Sequence, residues 1–230
     1  MGETRLRKFD HQKPLIFIHV PKSAGSAVRD VVESWYPNRF HRHYFNETTA
    51  KMPELLPLES PEFLENPPVI YGHFNKLRGF GIEDYYPEVS QFVTILRDPF
   101  ETVISHYFFV RKASKDWKDQ SRVPTEGLEN HIETAEPNIL NHFPREMNLG
   151  NFKDIIEEFF VEIGITEKLP YSLEKISRKL DEKFDSVTLK MVNVTERDQP
   201  LPEIYRDQFS EKYPLEHAVY EFAKSRIAVF

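Results

Sequence analysis

Seven residues, Pro21-Lys22-Ser23-Ala24-Gly25-Ser26-Ala27, carry the densest chemical signal in the sequence. They follow an apolar run at 15–20 and precede Val28, Val31, Val32 and Trp35 at the i, i+3, i+4, i+7 spacing of one helical face, which Pro37 ends. A turn between a buried strand and an amphipathic helix aims free backbone N–H groups and the positive helix end at one spot, an arrangement suited to an anion. Gly25 allows close approach, Lys22 adds a charge, and Ser23 and Ser26 can donate to phosphate or sulfate oxygens. An ordinary turn with a solvated lysine fits the same residues, so the loop alone leaves both readings open. It is not the loop of magnesium-dependent NTPases, because lysine precedes glycine and no Gly-Lys-Ser/Thr ending follows.

A second strand–loop–helix pattern runs from Gln91 through Arg97-Asp98-Pro99 to a helical face of Phe100, Val103, Ile104, Tyr107 and Phe108. Arg97 closes that strand, and Ser105 stands two turns into the helix. Taken singly, the arginine fits a surface ion pair and the serine a helix-surface hydroxyl. His73, one of nine histidines, follows a short strand at 68–71, and a neutral imidazole with a pKa of about 6.5 suits proton abstraction near neutrality. Lys76 and Arg78 can meet an anionic acceptor or simply solvent.

FIHVPKSAGSAV (17–28) resembles the 5′-phosphosulfate loop, and TILRDPFETVISHYFF (94–109) the 3′-phosphate segment, of the sulfotransferases that use 3′-phosphoadenosine 5′-phosphosulfate (PAPS). VIYGHF (69–74) is similar to the segment supplying a catalytic histidine in the glycosaminoglycan 2-O-sulfotransferase branch. MVNVTE (191–196) and YPLEHAVYEFA (213–223) resemble that family's late nucleotide loop and closing helix. The resemblance implies that the backbone of Ser23, Ala24, Gly25, Ser26 and Ala27 holds the phosphosulfate while Lys22 neutralises the leaving charge. Arg97 and Ser105 would bind the 3′-phosphate, with Asn193, Thr195 and Arg197 near the nucleotide. His73 would be the general base, and Glu33, on the helix after the loop, the second candidate. Transfer to a hydroxyl of a saccharide or small molecule would then need no metal and release adenosine 3′,5′-bisphosphate. The rivals are a small-molecule kinase, which needs a magnesium ligand set, and a homologue that binds the nucleotide without catalysis.

Strands alternating with helices predict an α/β fold: a three-layer, P-loop-like arrangement with a central parallel sheet flanked by helices, in one domain spanning 1–230. Between the motifs, 46–68 reads as an irregular connection with one short helix, and the polar stretch 112–150 as a surface excursion that could cover a substrate. Phe152, Ile155, Ile156, Phe159, Phe160 and Ile163 predict one amphipathic helix, and Ser172 to Phe184 another. A strand at 187–194 and a closing helix after Pro214 complete the reading.

A hydrophobic content of 40% supports a substantial core, and a net charge of −7 speaks against nucleic acid or anionic membrane as general partners. No cysteine is present, so thiol chemistry and thiolate metal sites are excluded. Met1 to Lys13 lacks the apolar core of a secretory signal, and no apolar run is long enough to span a bilayer, so a soluble, cytoplasmic protein is expected. Oligomeric state has no sequence signal.

Overall fold

The computed structural model describes residues 5–186, 189 and 203–227. In chain order the elements are β1 (Leu15–Ile18), α1 (Gly25–Trp35), β2 (Phe40–His43), α2 (Pro61–Glu65), β3 (Val69–Gly72), α3 (Ile82–Tyr85), β4 (Phe92–Leu96), α4 (Pro99–Ala113), α5 (Leu128–Thr134), α6 (Phe152–Phe159), β5 (Phe160–Ile165), α7 (Leu169–Lys179), α8 (Glu203–Lys212) and α9 (Pro214–Ile227). The strands form one parallel sheet in the order β2-β3-β1-β4-β5. β1, β3, β4 and β5 are buried along their whole length, as their branched and aromatic runs require of strands covered on both faces.

Two apolar clusters sandwich the sheet. On one face Val28 and Val32 of α1 and Leu173 and Ile176 of α7 pack against Phe17, Tyr71 and Val93. On the other, Ile156 of α6 and Val219, Tyr220 and Ala223 of α9 pack against Ile16, Ile70 and Phe92. The three-layer α/β fold expected from the sequence is therefore present. α4 runs against α9 while α1 lies on the opposite face. The chain thus leaves β1 and β4, which are neighbours, toward opposite layers, and the crevice between two such departures is where open parallel sheets bind ligands.

Several elements differ from the sequence reading. The helix predicted over 152–163 stops at Phe159, and Phe160–Ile165 becomes β5 with no intervening loop. Phe160 and Ile163 prolong the helical spacing, but the sheet wins: the segment pairs with β4 from Phe92↔Phe160 to Leu96↔Ile165, burying every residue. Gly164 is required there, since a Cβ would lie 2.7 Å from Ser172. Ser172, read as a helix start, sits inside α7 and exchanges hydrogen bonds with the Ile165 backbone at 2.9 and 2.8 Å.

β2 and α8 have no counterpart in the reading, because their sequences are too polar to carry a clear period. Phe108, expected on the inner face of α4, is exposed. The stretch 112–150 carries α5 and sends Ile132, Ile139, His142 and Phe143 into the interior. The strand predicted at 187–194, with Asn193, Thr195 and Arg197, lies outside the described residues.

Candidate active site

The parallel register brings the ends of three strands level. Ile18 and His43 both pair with Gly72, so β2, β3 and β1 finish side by side on His43, His73 and His19. Backbone bonds continue one residue past β3 and β1, with His73 N–H donating to the His43 carbonyl (2.9 Å) and His19 N–H to the Gly72 carbonyl (2.8 Å). β4, on the other side of β1, ends at Leu96 and is followed at once by Arg97. A row of imidazoles and a guanidinium thus lines the carboxyl edge of the sheet.

The loop after β1 has the backbone of an anion cradle. Lys22 (φ 69°) and Ala24 (φ 56°, ψ 26°) are both left-handed, with Ser23 between them outside that region. Alternation of this kind is the backbone pattern of a nest, and for residues with a Cβ it costs on the order of 1 kcal/mol each; here the Ser23 N–H donates to the Val20 carbonyl at 3.3 Å. The Ser23 hydroxyl is buried in the loop and has no hydrogen-bond partner among the described residues. A buried, unpaired hydroxyl donor beside the N-terminus of α1 fits an anion with several acceptor oxygens, so these residues fit the phosphosulfate end of PAPS. Gly25 opens α1, and its carbonyl accepts a 2.8 Å hydrogen bond from the buried Tyr71 hydroxyl, which ties the loop to β3. Ser26 is exposed, and Ala27 packs beneath in the core.

Two cations meet at this loop. Arg97 Nη1 lies 3.5 Å from the Lys22 carbonyl, and Arg97 also pairs with Glu101 at 3.7 Å. The Lys22 ammonium sits 3.9 Å from the centre of the Phe109 ring. Desolvation, reinforced by the charge on Arg97, pulls the Lys22 pKa down to about 8. Ser105 is buried on α4, between Arg97 and Phe109 in sequence.

His73 is held in one tautomer. Its Nδ1 lies 2.6 Å from the His19 carbonyl, and because a carbonyl only accepts, Nδ1 carries the proton and Nε2 keeps its lone pair. The ring stacks on His19 with centroids 4.2 Å apart and has His142 at 5.9 Å. His73 is only half-buried by surface area, yet the groups crowding it push its pKa down to about 4, chiefly by desolvation and against the His19 hydrogen bond. Glu47 and Arg78 lie within electrostatic reach. Glu47 is itself shared by Arg78 (2.8 Å) and by Arg122 of the 112–150 stretch (2.7 Å).

The structure thus brings Lys22, Ser23, Gly25, Arg97 and His73 to one edge. Glu33 is engaged elsewhere, its carboxylate 2.8 Å from Arg42 of β2. Sequence reasoning missed His19, Tyr44, Phe109 and Arg122. His19 had a signal, being the last residue before a loop at the end of a buried strand. Phe109 looked like one more apolar residue on α4, and nothing local announces Tyr44 or Arg122. Among the described residues, no group of three or more His, Asp or Glu side chains is arranged to hold a metal.

Fold and site together define an α/β protein with a strand-to-helix loop of nest-like backbone, two converging cations and an imidazole with a free Nε2 lone pair at the carboxyl edge of its sheet. The chain is similar to heparan sulfate 2-O-sulfotransferase 1 of Gallus gallus, 23% identical over 252 residues covering 91% of this chain and 69% of that protein. The Mus musculus protein of the same name is likewise 23% identical, over 93% of this chain and 71% of its own length. The resemblance to sulfotransferases carried by the motifs is therefore borne out over nearly the whole chain. No protein-family model matches. Among solved structures, mouse sulfotransferase SULT7A1 complexed with PAP aligns with a TM-score of 0.47 and 14% identity, over 77% of this chain and 62% of that one.

Proposed function

We propose that this protein is a sulfotransferase that moves a sulfuryl group from PAPS to a hydroxyl of a saccharide or small molecule, in line and without a metal. The observation that carries the reading is the approach of Arg97 to Lys22: two β–α junctions, far apart in sequence, converge on one crevice with two cations and an unpaired serine hydroxyl. The donor supplies an activated sulfur, so a bond from the acceptor oxygen forms as the bond to the 5′-phosphate oxygen breaks.

The chain's residues divide the remaining work. Nε2 of His73, with Nδ1–H committed to the His19 carbonyl, takes the acceptor's proton. Lys22 and the loop amides meet the charge left on the phosphate, a preorganised electrostatic contribution worth several kcal/mol. Arg97 and Ser105 would hold the 3′-phosphate. Glu33 is the reserve base, and its engagement with Arg42 favours His73. A saccharide acceptor is supported by the names of the relatives, and Arg78, within electrostatic reach of His73, suits an anionic one.

Thermal denaturation tests the donor assignment. Adenosine 3′,5′-bisphosphate with a chelator should raise Tm markedly, and ATP with magnesium should not, because a ligand that binds only the folded state stabilises it by an amount that grows with its concentration relative to Kd. Equal shifts from both would favour the kinase reading. Incubation with sulfur-labelled PAPS and a panel of saccharides then identifies the acceptor, while donor binding without transfer to any hydroxyl would favour the non-catalytic homologue.

A further inference from the structure

His19 contributes more than a carbonyl to this site. Its Nδ1 lies 3.0 Å from the Tyr44 hydroxyl, and its ring is sandwiched between His73 (4.2 Å) and Tyr71 (5.6 Å). The loop lies over the ring at its other nitrogen: a Cβ built on Gly25 would fall 1.7 Å from Nε2 and 1.9 Å from Cε1, so Nε2 sits directly beside the first residue of α1. Gly25 is therefore a glycine because the imidazole occupies the space beside the first residue of α1, where that helix presents its free N–H groups.

The flanking groups decide which ring nitrogen carries the proton. Arg29 and Arg42 both lie within electrostatic reach of the Tyr44 phenol. Cations beside the phenol favour its oxygen facing them and its proton directed to Nδ1 of His19. With Nδ1 accepting, the neutral ring holds its hydrogen on Nε2, the ring atom nearest Gly25 of the loop. Lys22 and Arg29 also stand near enough to oppose a positive charge on the ring, so the neutral form presents a plain N–H donor there.

We propose that His19 Nε2–H is a binding donor for the phosphosulfate end of the nucleotide, oriented by the Tyr44 hydroxyl, an assignment that rests on the function proposed above. One residue then serves both halves of the site, its carbonyl fixing the base and its side chain holding the donor. The three stacked or hydrogen-bonded partners, His73, Tyr71 and Tyr44, leave the ring no freedom to turn away.

Calorimetric titration with adenosine 3′,5′-bisphosphate and with adenosine 3′-monophosphate tests this, since only the former has a 5′-phosphate. His19→Asn, whose amide reaches only the Nδ1 position, should weaken the bisphosphate about tenfold or more and leave the monophosphate unchanged. His19→Gln, whose amide nitrogen reaches the Nε2 position, should recover binding to within about threefold of the wild type. Tyr44→Phe should show a smaller loss confined to the bisphosphate, and it carries the same comparison if His19→Asn does not fold. Unchanged bisphosphate affinity in His19→Asn, or an equal loss for both nucleotides, overturns the assignment while leaving the donor site intact. Failure of the wild type to bind either nucleotide overturns the donor site itself and this assignment with it.

Discussion

The guanidinium of Arg97 stands 3.5 Å from the backbone carbonyl of Lys22, so the cation just after β4 rests on the loop that follows β1. The Lys22 ammonium, paired with no carboxylate among the described residues, lies over the Phe109 ring. Two positive side chains left close together and partly desolvated are an expense to the free protein that a bound polyanion would offset. Perturbation of this kind gathers at functional sites.

Replacing Arg97 reports on that arrangement in two ways. Arg97→Gln should weaken adenosine 3′,5′-bisphosphate about 10- to 100-fold, the scale of a lost charge-assisted hydrogen bond, by calorimetry. It should also raise the Lys22 pKa above about 8, because a neighbouring positive charge is removed. The alkaline limb of kcat/KM, where Lys22 loses its proton, then moves to higher pH. Wild-type binding by Arg97→Gln would place the 3′-phosphate elsewhere.

Lys22→Ala should separate chemistry from binding. On the proposed mechanism the ammonium meets charge that develops during transfer, so kcat should fall more steeply than the affinity for the bisphosphate product. Equal losses in both would reduce Lys22 to a binding residue.

His73→Ala should lower kcat about 10²- to 10⁴-fold while product binding persists. In the wild type, the acid limb of kcat/KM should fall near pH 4, since His73 is neutral above its depressed pKa and loses its lone pair below it. A limb near the unperturbed value of about 6.5 would contradict the burial argument. Retained turnover in His73→Ala, with loss in Glu33→Gln, would move the base to Glu33.

Buried histidines should make the fold acid-labile. His43 is 1% exposed, stacks on Phe74 at 4.4 Å, and has no well-formed hydrogen bond on either ring nitrogen among the described residues. Burial draws its pKa down to about 4, with only a weak approach to the Phe80 backbone opposing. Between about pH 6.5 and pH 4 the unfolded chain binds a proton that the folded one refuses, so stability is present above that window and lost as pH falls through it. His43→Phe should therefore lose roughly 2 kcal/mol less than the wild type between pH 7 and pH 5 in urea titrations. Identical pH dependence in the two proteins would mean His43 takes up its proton without unfolding.

Gly25 and His19 should behave as one unit. Gly25→Ala puts a methyl where the imidazole lies and should destabilise by roughly 1–3 kcal/mol, the usual penalty of overpacking. Adding His19→Ala makes room, so the double variant should be more stable than the sum of the single losses predicts. Strict additivity would mean that Gly25 is needed for another reason.

Much of this protein was legible in its sequence because the signals are local. Apolar runs at 15–18 and 92–96 mark buried strands, and the helical spacing after each marks a helix, so Lys22 and Arg97 had to stand at strand-to-helix junctions. Binary pattern failed where two structures share it: Phe160 and Ile163 satisfy a helical period, and only pairing with β4 made their segment a strand. The site itself is mostly a product of sheet order. Placing β1 between β3 and β4 sets His19 against His73 and Lys22 against Arg97, contacts between residues 54 and 75 positions apart that no local pattern encodes. Tautomers, burial and lowered pKa values arise from those meetings, because they depend on which groups crowd a ring and not on its neighbours in the chain.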